Sequence, residues 1–142
     1  MTPPIAQPDA AAPEVPGPRP GLRERQKART RAAIRTAALE LMSEHGYEAT
    51  TVAQIAEAAD ISHTTFFRYF QSKEQAIVSD DLQPAWDAAI AQTPAGLDRF
   101  DLLRRLISEL FHIGSRDPWV SDTRRHQLLH DEPVLRMANQ VE

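Results

Sequence analysis

The stretch DISHTTFFRYFQSKE, Asp60 to Glu74, crowds three Phe and one Tyr into five consecutive positions, with Arg68 as the one interruption. Residues four apart share a helix face. Phe66 and Phe70 therefore fall on one side, and Ile61 reaches that side from the turn before them. These three are assigned to the core, where each buried Phe stabilises by ~2–3 kcal/mol. His63, Thr64, Thr65, Phe67, Arg68 and Tyr69 are left on the other faces. Ser62 is a good N-cap for a helix from His63 to about Phe70, since its hydroxyl can accept a first-turn N–H. Ser72 caps a further helix predicted from Lys73 toward Ala91, with Pro84 inside it as a kink.

Upstream, Thr51 and Gln54 fit a capping box. Val52, Ile55, Ala56 and Ala59 follow at helical spacing and form one inner stripe. Asp60 and Ile61 make a tight turn, where Asp tolerates a left-handed backbone less readily than Gly. Residues 51–70 thus read helix, short turn, helix. That is the unit whose second helix enters a DNA major groove. Earlier still, Arg25 to Glu44 is rich in helix formers. Ala33, Ile34, Ala37, Ala38, Leu41 and Met42 mark its buried face, and Gly46 its left-handed end. Residues 1–21 hold seven of the eleven Pro and no periodicity. They read as a disordered, partly polyproline-like leader.

Charge is distributed unevenly. The chain of 142 residues carries a net −4. Residues 19–35 hold seven basic side chains (Arg19, Arg23, Arg25, Lys27, Arg29, Arg31, Arg35) against Glu24, so +6. Residues 74–142 hold seven basic and twelve acidic, so −5. A concentrated basic segment favours a polyanion whatever the total charge. Cysteine is absent, which excludes disulfides and thiolate metal sites. No apolar run approaches 18 residues, and no secretory signal pattern opens the chain. A cytoplasmic protein with no membrane partner is expected.

On a DNA reading, the small polar residues at the start of the His63 helix approach base edges. Thr offers a hydroxyl or a methyl, and His donates or accepts. Arg68, Tyr69 and Lys73 lie where phosphate oxygens run. Thr50 and Thr51 stand at a helix N-terminus, a phosphate site through backbone N–H groups. The other reading is a helical protein-interaction module that docks a partner through Phe67 and Tyr69. A third, a metal enzyme, rests on HQLLHDE, which places His126 and His130 four apart. It lacks the HExxH base, and no catalytic motif appears elsewhere. No cofactor, metal or catalytic residue is therefore assigned.

The segment RTAALELMSEHGYEATTVAQIAEAADISHTTFFRYFQSKEQAI resembles the DNA-binding domain of the TetR family of bacterial transcriptional regulators. The likeness spans residues ~25–80. It implies an all-α fold, with a three-helix helix-turn-helix head followed by a helical ligand-binding domain. The expected division is a leader at 1–21, the head at 22–72 and an effector and dimerisation domain at 73–142. By position it implies base-proximal roles for His63, Thr64 and Thr65, and backbone contacts for Thr51, Ser62, Tyr69 and Lys73. The family usually has Gly at Asp60, often Gly at Thr64, and often Tyr at Phe67. The missing hydroxyl at Phe67 removes one hydrogen bond to DNA and leaves an apolar contact.

Beyond the head, Pro94, Pro118 and Pro133 break further helices. Leu97 to Ile113 is amphipathic, with Leu102, Leu103, Leu106, Leu110 and Ile113 on its inner face and Phe111 at the edge. Trp119 to His130 forms another helix, and a last one starts at Glu132. The resemblance implies a small apolar effector in this half, with Trp86, Phe100, Leu103, Leu106, Leu110, Trp119 and Leu128 as candidate lining. It also implies a homodimer that releases operator DNA on binding the effector. The family's last helices are not evident before Glu142. The effector domain is thus read as incomplete, and pairing as needing those helices.

Overall fold

The computed structural model describes residues 21–141, so the expected leader lies, apart from Gly21, outside the described residues. Among them the chain is all-helical. Helix α1 runs Leu22–His45, α2 Val52–Ala58, α3 His63–Tyr69 and α4 Lys73–Val78. Then come α5 Gln83–Ala91, α6 Arg99–Arg116, α7 Thr123–Asp131 and α8 Pro133–Val141.

The local signals for the first helices act as read. Thr51 Oγ1 accepts from the Gln54 N–H at 3.2 Å, and the Gln54 side chain accepts from the Thr51 N–H at 3.0 Å. Ser62 Oγ accepts from the Thr65 N–H at 3.0 Å, and Ser72 Oγ from Gln75 at 3.1 Å. Each cap satisfies a first-turn donor that the helix itself leaves open. Asp60 sits at φ 57°, the left-handed region that costs an L-residue about 1–2 kcal/mol and Asp somewhat less. Asp60→Gly is therefore expected to stabilise the chain by about 0.5–1 kcal/mol, read as a raised thermal midpoint by circular dichroism. Gly46 ends α1 at positive φ as expected, but its ψ of 157° lies outside the left-handed helical region.

The core runs through both expected domains. Ile34, Leu39 and Met42 of α1 meet Ile55 of α2, Phe66 and Phe70, and Ile77 of α4. Leu135 of α8 is fully buried in the same cluster. On α1, Leu39 and Arg35 are buried where the periodicity suggested Ala33, which is exposed. The covered face is the one that α4 and α7 pack against.

The helix predicted from Lys73 to Ala91 is two helices. Residues 79–82 separate α4 from α5, and Pro84 stands in the first turn of α5. There its missing N–H costs nothing. Asp80 Oδ1 accepts the Leu82 N–H at 3.0 Å and holds the break. The linker is fixed from two sides. Arg35 grips Asp81 with two bonds, Nη1 to Oδ2 at 2.7 Å and Nη2 to Oδ1 at 3.2 Å. Trp119 donates its Nε1–H to the Ser79 carbonyl at 2.9 Å. Beside it, the buried Arg125 donates Nε–H to Ile77 O at 2.8 Å and Nη2–H to Val78 O at 3.0 Å. It thereby satisfies last-turn carbonyls of α4. Arg35 and Arg125 lie 5.9 and 5.5 Å from the Trp119 ring, and Arg35 also lies 5.6 Å from Phe70. Burial pushes the Arg125 guanidinium down from its usual value, and Asp80 opposes this. The hydrogen bond from Arg35 holds the Asp81 carboxyl below its ordinary value, against burial, with the charges of Arg35 and Arg31 adding to it.

The second half is less enclosed than its pattern suggests. The helix expected from Trp119 starts at Thr123. Residues 118–121 instead form a turn around Asp117, whose Oδ1 accepts from the N–H groups of Trp119 and Val120. Helices α5 and α6 bury no residue fully. Leu102, Leu103 and Leu110, expected on an inner face, are exposed, and Phe111 with them. Amphipathic spacing marks a face suited to burial without supplying what covers it.

Candidate nucleic-acid interface

Helix α3 is set edge-out by its own aromatic residues. Phe66 is fully buried and meets Phe67 edge to face at 5.2 Å. Phe67 meets the His63 ring the same way at 5.9 Å. A core side chain thus braces an exposed one, and that one orients a histidine at the start of the helix. Such pairs are worth about 0.5–1.5 kcal/mol beyond area burial. Phe67 is 51% exposed, so half of it remains open to a partner. His63, Thr64 and Arg68 are exposed, and Thr65 and Tyr69 are half-buried. The Ser62 hydroxyl donates to Thr65 Oγ1 at 3.0 Å, which ties the first turn together. This places Ser62, His63, Thr64, Thr65, Phe67, Arg68 and Tyr69 on one short helix and its cap.

The remaining expected contacts divide. Thr51 is exposed at the start of α2. Thr50 differs from expectation. It is 1% exposed, its hydroxyl donates to the Gly46 carbonyl at 2.8 Å, and its N–H donates to Tyr47 O at 3.2 Å. Both donors are occupied inside the protein, so Thr50 shapes the turn before α2 and has no donor left for phosphate.

Lys73 also faces inward. Its Nζ donates to the carbonyls of Tyr47 and Thr50, each at 2.8 Å, and lies 4.1 Å from the Tyr47 ring centroid. An ammonium has three donors, so one is left for solvent or phosphate. The Tyr47 hydroxyl donates to Glu74. Burial, then the bond to Glu74, raises the Tyr47 pKa. Burial pushes the Glu74 carboxyl up, but the bonds from Tyr47, its own backbone and Ser72, with the Lys73 charge, hold it below the ordinary value. Lys73→Ala is expected to lower stability by about 2 kcal/mol, because hydrogen bonds to charged groups contribute ~1.5–3 kcal/mol. A denaturant melt checks it.

The basic segment divides as well. Arg35 is 5% exposed and paired with Asp81, and Arg31 Nη2 reaches Asp81 Oδ1 at 3.0 Å. Arg35 is thereby removed from the phosphate-holding set. Arg23, Arg25 and Arg29 are exposed and form no ion pair among the described residues. Lys27 faces Glu24 at 3.5 Å. What signalled the inward arginines was absent from local sequence, because their acceptors lie more than forty residues away.

The candidate effector-lining residues are not gathered in one place. Phe100 and Leu103 share an open flank of α6, with Phe100 85% exposed. Leu110 is exposed on the same helix, Leu106 is half-buried, and Trp86 is half-buried on α5. Trp119 and Leu128 pack against the main core. His126 Nε2 lies 2.6 Å from the Val120 carbonyl oxygen. Among the described residues no group of three or more His, Asp or Glu is placed to hold a metal ion. No helix there is long and apolar enough to cross a membrane.

Comparison with known proteins gives a consistent answer for the head. Residues 34–77 match the family model described as bacterial regulatory proteins, tetR family. The chain is similar to the HTH-type transcriptional regulator TcmR of Streptomyces glaucescens, with 43% identity over 95 residues, 62% of this chain and 42% of that protein. It is also similar to the HTH-type transcriptional repressor KstR of Rhodococcus jostii (strain RHA1), with 32% identity over 94 residues, 65% of this chain and 44% of that protein. The chain spans less than half the length of these two relatives. A solved TetR family transcription regulator from Marinobacter aquaeolei VT8 aligns over 82% of this chain and 64% of its own, at 32% identity and a TM-score of 0.44. Over residues 34–77, from within α1 into α4, the chain is thus similar to bacterial regulatory proteins of the tetR family.

Proposed function

We propose that this protein is a one-component transcriptional regulator, a repressor, that binds operator DNA through α2 and α3 and is released by a small apolar ligand. The observation that carries the reading is the exposed His63–Phe67 face of α3, braced from the core by Phe66. His63, Thr64 and Thr65 read base edges. Thr51, Ser62, Arg68, Tyr69 and the free donor of Lys73 position the helix on phosphates, with Phe67 as an apolar contact. Arg23, Arg25 and Arg29 add sequence-independent attraction. The protein acts in the cytoplasm as a homodimer, so that two heads meet half-sites about one DNA turn apart, roughly 34 Å. The apolar flank of α6 supports a second half that buries an apolar partner. An effector shifts the protein only through differential affinity for two states.

The test is binding of the chain to its own upstream DNA at two salt concentrations, with unrelated DNA as competitor. Specific binding that weakens with a log–log slope of about −0.9 per phosphate contact is expected. Salt-insensitive behaviour with capture of no DNA overturns the reading. It would favour a protein-interaction module, to which the half-open Phe67 ring is suited. His63→Ala is expected to relax discrimination at one base position by about 1–3 kcal/mol while leaving non-specific binding intact. Competition with single-base operator variants measures it.

A further inference from the structure

A groove of about 850 Å³ runs between α1, α3 and the linker at 79–82. Its charged lining is Lys27, Arg31 and Arg68 against Glu24, Asp80 and Asp81, three of each sign. It faces the Thr65 and Tyr69 side of α3, yet it is self-neutralised. Two of the three carboxylates belong to the linker. Without them the same groove carries +2.

The Asp81 cluster is built so that one arginine is replaceable. Arg35 alone occupies both Asp81 oxygens and is buried. Arg31 shares Oδ1 as a second donor at 3.0 Å. Two guanidinium groups on one carboxylate leave an excess charge of +1. Arg31 has its side chain 36% exposed in the groove, and its Nε–H is buried and meets no acceptor among the described residues. A phosphate taken up by Arg31 would leave neither Asp81 nor Arg35 unpaired, which is the condition under which such an exchange is cheap.

Resting on the DNA-binding reading above, we propose that the linker is an intramolecular competitor for a DNA backbone phosphate. Asp81 occupies Arg31 through Oδ1, and a small shift of the linker that opens this one bond while keeping the Arg35 pair releases that guanidinium to bound DNA. The linker is held from the second half by Trp119 on Ser79 O and by Arg125 on Ile77 O and Val78 O. A change that moves Trp119 or Arg125 therefore alters the charge facing DNA within one head, independently of the distance between two heads.

The experiment measures binding of the whole chain to a non-specific duplex across a salt series, by fluorescence anisotropy. Asp81→Asn keeps an acceptor for Arg35 and removes the competing charge. Its log–log slope is expected to steepen by about 0.9, one added phosphate contact. Adding Arg31→Ala to it is expected to abolish the gain. An unchanged slope in a folded Asp81→Asn chain overturns the proposal, as does a gain that survives Arg31→Ala. So does a loss of slope when Arg31→Ala is made alone, which would mean Arg31 is already on phosphate. If Asp81→Asn fails to fold, Asp80→Asn raises the groove charge without touching the Arg35 pair. Because Arg31 stays on Asp81 in that chain, tighter binding that survives Arg31→Ala is then the expected result, and a gain that Arg31→Ala cancels the contrary one. Absence of salt-dependent duplex binding by the unaltered chain overturns the DNA reading itself, and this proposal with it.

Discussion

Phe66→Ala is expected to cost about 3–5 kcal/mol, the range for emptying a Phe site in a packed core. Phe66 has no exposed surface and touches Phe67 and Phe70, the two aromatic residues that connect α3 to its outer face and to α1. Net stabilities of small domains are about 5–15 kcal/mol, so one substitution removes a large share. A urea melt followed by circular dichroism reads the loss. The control is its neighbour: Phe67→Ala, at a half-exposed position, is expected to shift the same midpoint far less and to weaken DNA binding instead. Equal losses of stability from the two would show that the burial pattern of α3 is misassigned.

Arg125→Met is the second large effect, about 3 kcal/mol. The substitution keeps an apolar stem against Trp119 and deletes the donors that hold Ile77 O and Val78 O. Charged donors contribute ~1.5–3 kcal/mol per hydrogen bond, and the abandoned carbonyls stay buried. A denaturant melt checks it, with Arg124→Met as comparison. Arg124 pairs with Asp122 of its own turn and is exposed, and its loss should leave the midpoint in place. A midpoint in Arg125→Met equal to that of the unaltered chain would mean the end of α4 does not depend on the second half.

The helix-turn-helix was legible because its determinants are local. Thr51 with Gln54, Ser62 with Thr65, and Phe66 with Phe70 each act within four residues. Spacing alone therefore gave the helices, their caps and the buried side of α3. The left-handed turn at Asp60 followed from the same punctuation. The roles of Thr50, Lys73, Arg35 and Arg125 were not legible. Each is decided by a partner brought near only by folding: the Gly46 carbonyl, the Tyr47 and Thr50 carbonyls, Asp81, and the end of α4. A basic side chain looks the same in sequence whether it reaches for phosphate or for a helix end. Pro84 was misplaced for a related reason, since a proline marks a helix start as readily as a kink. The apolar face of α6 was read correctly as a pattern, but its neighbours in space were not.

The burial of Leu135 in the same apolar cluster as Ile77 of α4 has a consequence for synthesis. The head is complete in sequence once Phe70 has been added, yet its core lacks a side chain that arrives 65 residues later. At about 5–20 residues per second on the ribosome, the gap is roughly 3–13 s. Until α8 emerges, the apolar cluster shared by the head and α4 is without one of its fully buried side chains.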